Sequence, residues 1–182
     1  MERKSINYVG TIYPAEQDLM DWLNRCKLPF VFVDQSSERM PAQEKPGIFK
    51  RADFIVAIPG LCSVIVEVKG YRLHGGYAEV KESEAYNLQE FGKLFHMDTY
   101  FLFINGNDNT RAHWAHPNQY LRDRLELERK ELLQCEKVMR YGKPDLALRL
   151  NLSQTVPSSV KEDDFVSKLC KAQRLVNGNG PA

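Results

Sequence analysis

The stretch ADFIVAIPGLCSVIVEVKG, Ala52 to Gly70, constrains the chain most: two apolar runs separated by Pro59-Gly60. A proline followed by a glycine marks a tight turn, so the runs read as two neighbouring strands. The second run ends on Glu67-Val68-Lys69. Alternate residues of a strand face the same way, so Glu67 and Lys69 leave one face with their roots about 6.6 Å apart. Val64, Val66 and Val68 fill the other face, while Ser63 and Ile65 share the charged one, which is therefore expected to be covered too. Burying a glutamate and a lysine is costly unless each has a partner, a metal or a water-filled cleft. Such a cost points to a function.

Glu-x-Lys is a weak string by itself, and the chain holds two further copies. Glu128–Lys130 lies in LELERKELL, which reads as the charged outside of a helix, where residues two apart share no face. Glu79–Lys81 lies between Gly75-Gly76 and the polar entrance of a helix, so solvent exposure is expected. The first copy has an acid close by. Thirteen residues separate Asp53 from Glu67, enough for one strand, a turn and the return, so a hairpin brings Asp53 beside Glu67. Two carboxylates with no imidazole or thiolate form an oxygen-rich site that suits Mg²⁺ or Mn²⁺ and not Zn²⁺.

Around this hairpin the pattern predicts a first helix over about 14–27, with Pro14 in its first turn and Leu19, Trp22, Leu23 and Cys26 at helical spacing. Glu16 stands three residues before Leu19, on the same apolar stripe. It either points at the cleft of the other acids or favours the helix dipole from the first turn. PFVFVD reads as a short strand and QSSERMPAQEKPG as a loop. YRLHGGYAEV is a hairpin or a loop, followed by a helix that Ser83 can cap, with Glu84 in its first turn and Ala85, Leu88, Phe91 or Gly92, and Phe95 on its inner side. TYFLFIN is apolar throughout and reads as a central strand. Beyond it the pattern predicts a loop over GNDNTRAHWAHPN and a long helix over about 119–141, with Leu121, Leu125, Leu132 and Met139 inward. DLALRL then reads as a strand, TVPSS as a linker, EDDFVSKLCKAQRLV as an amphipathic helix and NGNGPA as a tail. The order implies a mixed sheet with helices on its faces. Residues 1–150 form the main domain, 151–175 a linker and a helix packed on it, and 176–182 a flexible tail.

A formal charge of +1 neither demands nor excludes a polyanionic partner. Basic residues gather in the middle of the chain, including Arg51, Lys69, Arg72, His74 and Lys81. Tyr71 and Tyr77 could stack on bases beside them, or simply be exposed aromatics. His113 and His116 in HWAH are spaced to share a metal or contact phosphate, although such histidines are more often surface groups beside a packed tryptophan. Cys26, Cys62, Cys135 and Cys170 form no C-x-x-C pair, which argues against a zinc site and a disulfide framework. No apolar stretch approaches the ~18–20 residues of a membrane span, so the expected setting is cytoplasmic, with no membrane partner.

Taken together, Glu16, Asp53 in RADF, Glu67 and Lys69 in VIVEVKGY, and the order helix, three strands, helix, strand resemble the PD-(D/E)XK nuclease superfamily. The resemblance covers residues 14 to 105, and the proline before the family's aspartate is Ala52 here. It implies a restriction-endonuclease-like α/β fold, an αβββαβ core with C-terminal helical additions. By the same resemblance Asp53, Glu67 and the Val68 carbonyl bind Mg²⁺ or Mn²⁺, Lys69 is the motif lysine, and Gln89 is the polar residue of the following helix. The implied activity is metal-dependent hydrolysis of nucleic acid, DNA in preference to RNA; from their own charge and aromatic character, Arg51, Tyr71, Arg72, His74 and Lys81 are candidate strand contacts. The competing reading is a non-catalytic nucleic-acid-binding or assembly subunit on the same fold. Its additions after residue 117 would carry a homodimer or partner interface.

Overall fold

The computed structural model describes residues 12–33, 52–70, 73–104, 111–122, 124–140 and 143–176. The chain opens with α1 (Pro14–Arg25) and β1 (Phe30–Phe32), followed by β2 (Phe54–Ile58) and β3 (Cys62–Gly70). A short hairpin, β4 (Leu73–His74) and β5 (Tyr77–Lys81), leads into α2 (Glu82–Phe95) and β6 (Asp98–Ile104). Then come β7 (Arg111–Ala115), α3 (Asn118–Leu121), α4 (Arg124–Arg129), β8 (Leu133–Arg140), β9 (Lys143–Asn151), β10 (Val156–Ser159) and α5 (Phe165–Val176).

The main sheet is mixed, in the order β1-β2-β3-β6-β7-β10. β2 and β3 are antiparallel from Phe54↔Val66 to Ile58↔Cys62, and Gly60 supplies the positive φ of 76° that their turn needs. β3 and β6 run parallel from Val64↔Asp98 to Gly70↔Ile104, a pairing that requires a crossover, supplied by the hairpin and α2. The helix, three-strand, helix, strand order is therefore present, with the β4–β5 hairpin inserted before α2. From Thr99 to Ile104 β6 is buried on both faces, as expected of a central strand.

Alternation along β3 and β6 divides the core in two. Val64, Val66, Val68, Tyr100 and Leu102 meet Leu19, Trp22 and Leu23 of α1 and Phe165 and Leu169 of α5. Trp22 and Trp114 both pack against the Phe165 ring at 5.0 Å. Ile65, Phe101 and Phe103 face the other way, onto Ala85 and Leu88 of α2 and Leu148 and Leu150 of a second sheet. That second sheet is antiparallel, in the order β4-β5-β9-β8. No helix among the described residues is long and apolar enough to cross a membrane.

Three expectations for the C-terminal part fail. In place of a long helix over 119–141 stand α3, α4 and the strand β8. Two residues assigned to the inner stripe, Leu125 and Met139, are 72% and 70% exposed. The charge spacing of this stretch suits a helix, but an unbroken ladder from Leu133↔Leu150 to Arg140↔Lys143 takes its second half into a sheet. Arg111–Ala115 is a strand and not a loop, and the linker TVPSS contains β10, which pairs with β7 from Val156↔Trp114 to Ser159↔Arg111. Pro157 is tolerated there because β10 is the last strand in the sheet order. The additions to the core are thus strands as much as helices. α5, expected as a helix, is one and runs to Val176.

Candidate active site

Because Phe54 pairs with Val66, Asp53 stands level with Glu67 on the neighbouring strand. Its side chain turns onto β3, where the Val68 N–H donates to Asp53 Oδ2 at 2.7 Å. Asp53 thus grips the peptide that joins Glu67 to Val68. Asp53 is 7% exposed and Glu67 2%. Lys69, on the same face as Glu67, donates from Nζ to Glu67 Oε1 at 2.9 Å. The same ammonium lies 3.4 Å from Glu84 Oε2 and 5.9 Å from the centre of the Phe101 ring, with only 11% of the lysine side chain exposed. The expected interior, extended Glu-Val-Lys is what the fold presents.

The crossover explains how Glu84 arrives. α2 starts directly after β5, and as a link between parallel strands its first turn returns to the carboxyl end of β3. Glu84 is buried at the third position of α2 and also accepts the Lys81 N–H at 3.4 Å. The helix begins at Glu82, one residue before the predicted cap; Ser83 Oγ instead donates to Asp145 Oδ2 of β9 at 2.6 Å. Sequence reasoning missed Glu84 as a site residue. The signal was there: Glu84 precedes Leu88 by four residues on the buried stripe of a helix start, the argument applied to Glu16.

Glu16 is buried on the packing side of α1, and its Oε2 accepts the Tyr13 N–H at 2.9 Å at the helix start. This end of α1 lies on the end of β3: a Cβ placed on Gly70 would stand 3.3 Å from Ala15 Cβ. Gln89 is not brought to the site. It lies five residues beyond Glu84, about 140° round the helix, and its amide donates to Asn118 Oδ1. There it lines a groove of about 580 Å³ with Lys93, His96, Asp98 and Arg122, by the amino end of β6. Lys81 caps the start of α2 with its backbone. Arg51, Tyr71 and Arg72 lie outside the described residues, as does the side chain of His74 on β4.

The other Glu-x-Lys copies are absorbed elsewhere. Glu79 faces its cross-strand partner Arg149, whose Nε donates to Glu79 Oε2 at 2.8 Å while Nη2 reaches Glu136 Oε2. Lys130 pairs with Glu126, and Glu128 accepts the Cys135 thiol at 2.7 Å. His113 Nδ1 lies 2.9 Å from Thr155 Oγ1, and His116 Nδ1 accepts the Asn118 N–H at 3.0 Å. Burial holds both imidazoles neutral: it lowers the His113 pKa and, against a smaller pull from Asp98, brings His116 down to about 4. None of the four cysteines is in a disulfide.

Among the described residues no group of three or more His, Cys, Asp or Glu is placed to hold a metal. The fit of a cation to the site therefore rests on the Asp53 and Glu67 carboxylates and the Val68 main chain between them. Oxygen donors of this kind suit a hard divalent ion, and Mg²⁺ commonly takes one or two carboxylates and leaves its other positions to water and phosphate. In donor type, the Asp53 and Glu67 carboxylates suit such an ion.

No family model matches the chain, and no curated protein matches it. Among solved structures it is similar to Archaeoglobus fulgidus Hjc, a Holliday junction resolvase from an archaeal hyperthermophile, with a TM-score of 0.45 and 14% identity. The match covers 76% of this chain and 88% of that one.

Proposed function

We propose that the chain is a divalent-metal-dependent nuclease of the PD-(D/E)XK type, acting on DNA. One observation carries this reading: a buried aspartate grips the Glu67–Val68 peptide, and a lysine whose side chain is only 11% exposed ion-pairs with the same glutamate. A purely structural ion pair gains little from such a position, since well-packed apolar residues are often as stable there.

Asp53 and Glu67 would hold Mg²⁺ or Mn²⁺, with the Val68 carbonyl as a further ligand. The bound cation would supply an activated water and offset the negative charge that grows on a phosphodiester under attack. Lys69 would orient or help deprotonate that water, or neutralise the phosphate. Loss of such a donor typically lowers the rate ~10²–10³-fold. Lys81, Arg51, Tyr71, Arg72 and His74 are the proposed strand contacts. The setting we propose is cytoplasmic, with a homodimer or protein partner docking on the C-terminal additions.

The test is a panel of labelled single-stranded, duplex, nicked and branched DNAs, and RNA, incubated with Mg²⁺ or Mn²⁺. Wild type cuts at least one DNA, and Glu67→Ala and Lys69→Ala reduce that cleavage at least 100-fold while remaining folded by circular dichroism. Cleavage by either variant at the wild-type rate would refute the assignment.

A further inference from the structure

Lys69 sits between two carboxylates with different prospects. Glu67 belongs to the proposed cation site, and its Oε1 is 2.9 Å from the ammonium. Glu84 comes from another element and stands 3.4 Å from the same ammonium. The α2 backbone fixes it, for the Lys81 N–H reaches its Oε2 and the positive end of the helix favours an anion there. A divalent cation drawn to Glu67 repels the ammonium and competes with it for that carboxylate. A lysine on a flexible four-carbon stem then follows its remaining anchor.

We propose that Glu84 is a positioning residue: it takes over Lys69 when the cation engages Glu67, so that cation and lysine occupy the site together instead of excluding one another. This rests on the nuclease reading of Asp53 and Glu67. The Glu84 carboxylate also accepts the Lys81 N–H at the helix start, so its contact with the ammonium is what assigns it to the site. Without Glu84, the ion pair between Lys69 and Glu67 persists, and the cation competes with it.

The experiment is a double-mutant cycle read by calorimetric titration with Ca²⁺, independent of cleavage. The proteins are wild type, Glu84→Gln, Lys69→Met and the double variant. Gln keeps the length of the side chain and an acceptor for the Lys81 N–H, as the third position of a helix allows, so the charge alone is removed. Expected is a roughly tenfold loss of Ca²⁺ affinity for Glu84→Gln when Lys69 is present, within the usual range of coupling between sites. Lys69→Met tightens binding, and Glu84→Gln then changes affinity less than about twofold in the Met background. An equal loss in both backgrounds means that Glu84 acts only as a distant negative charge, and overturns this proposal while leaving the nuclease reading intact. A wild type that takes up no Ca²⁺ or Mn²⁺ overturns both. A single-turnover rate at saturating Mg²⁺ that Glu84→Gln leaves unchanged also overturns the positioning role.

Discussion

Replacing Lys69 by methionine keeps most of the stem and removes the charge, so its effect can be worked from the surroundings of the ammonium. Glu67 and Glu84 are both buried, and Lys69 reaches them at 2.9 and 3.4 Å. Removing one member of a buried ion pair typically costs about 3–5 kcal/mol, because the remaining charge stays in the interior. For a domain of this size each kcal/mol moves the melting temperature by about 2–4 °C, so a fall of at least about 6 °C is expected in EDTA. Saturating Ca²⁺ should narrow the gap from wild type. A tenfold tighter Ca²⁺ affinity in the variant recovers about 1.4 kcal/mol. The assay is thermal unfolding followed by circular dichroism at neutral pH, with EDTA and then with Ca²⁺ in excess. A shift below about 3 °C in EDTA, given the same slope, would show that the ammonium is not holding the two acids together. A gap that Ca²⁺ leaves unchanged would show that no cation takes its place.

His116 gives a pH dependence of definite sign. Its folded pKa of about 4 lies below the unfolded value, so the unfolded chain binds the extra proton first. Its contribution is complete above about pH 6.5 and is lost as the pH falls towards 4, about 3 kcal/mol in all. Urea titrations across that window should show the slope, and His116→Asn should flatten it. Gly92→Ala should destabilise by about 1–3 kcal/mol although alanine favours helices, because the added Cβ collides with Thr99 and comes 2.7 Å from the Met97 carbonyl. A variant as stable as wild type in urea would contradict that close approach. Glu79→Ala removes the acid of the second Glu-Val-Lys from an Arg149 pair near the surface. It should cost less than about 1 kcal/mol and leave cleavage at the wild-type rate, which makes it the control for Glu67→Ala.

What the sequence discloses depends on whether a segment's pattern matches its own element or only its partner's. α1, β2, β3, α2 and β6 are legible because apolar spacing and turn residues agree along each of them. The hairpin alone places Asp53 beside Glu67; the bond from the Val68 N–H to Asp53 is a detail only the structure gives. β8 misleads because LQCEKVMR has charges at helical spacing, and the leucines that hold it flat belong to β9. β10 carries a proline and only four residues, so little in it announces a strand. The helix acid was half legible. The pattern marks where an acid is buried on α2, but only the crossover decides which of Glu84 and Gln89 reaches Lys69.

The β4–β5 hairpin sits inside the crossover, yet the neighbour of β5 in the sheet is β9, about seventy residues further along the chain. The segment that delivers Glu84 to the lysine is therefore clamped by a strand made much later in synthesis. Cutting the chain after β6 would strip Ala78 and Val80 of the Leu148 and Leu150 side chains packed with them and leave the start of α2 on an uncovered two-stranded ribbon. A fragment ending after β6 would hold Asp53, Glu67 and Lys69 but lack the strand that supports the start of α2 and Glu84. Assembly of the site has to wait for the last third of the polypeptide, which predicts slow, all-or-none acquisition of activity during refolding.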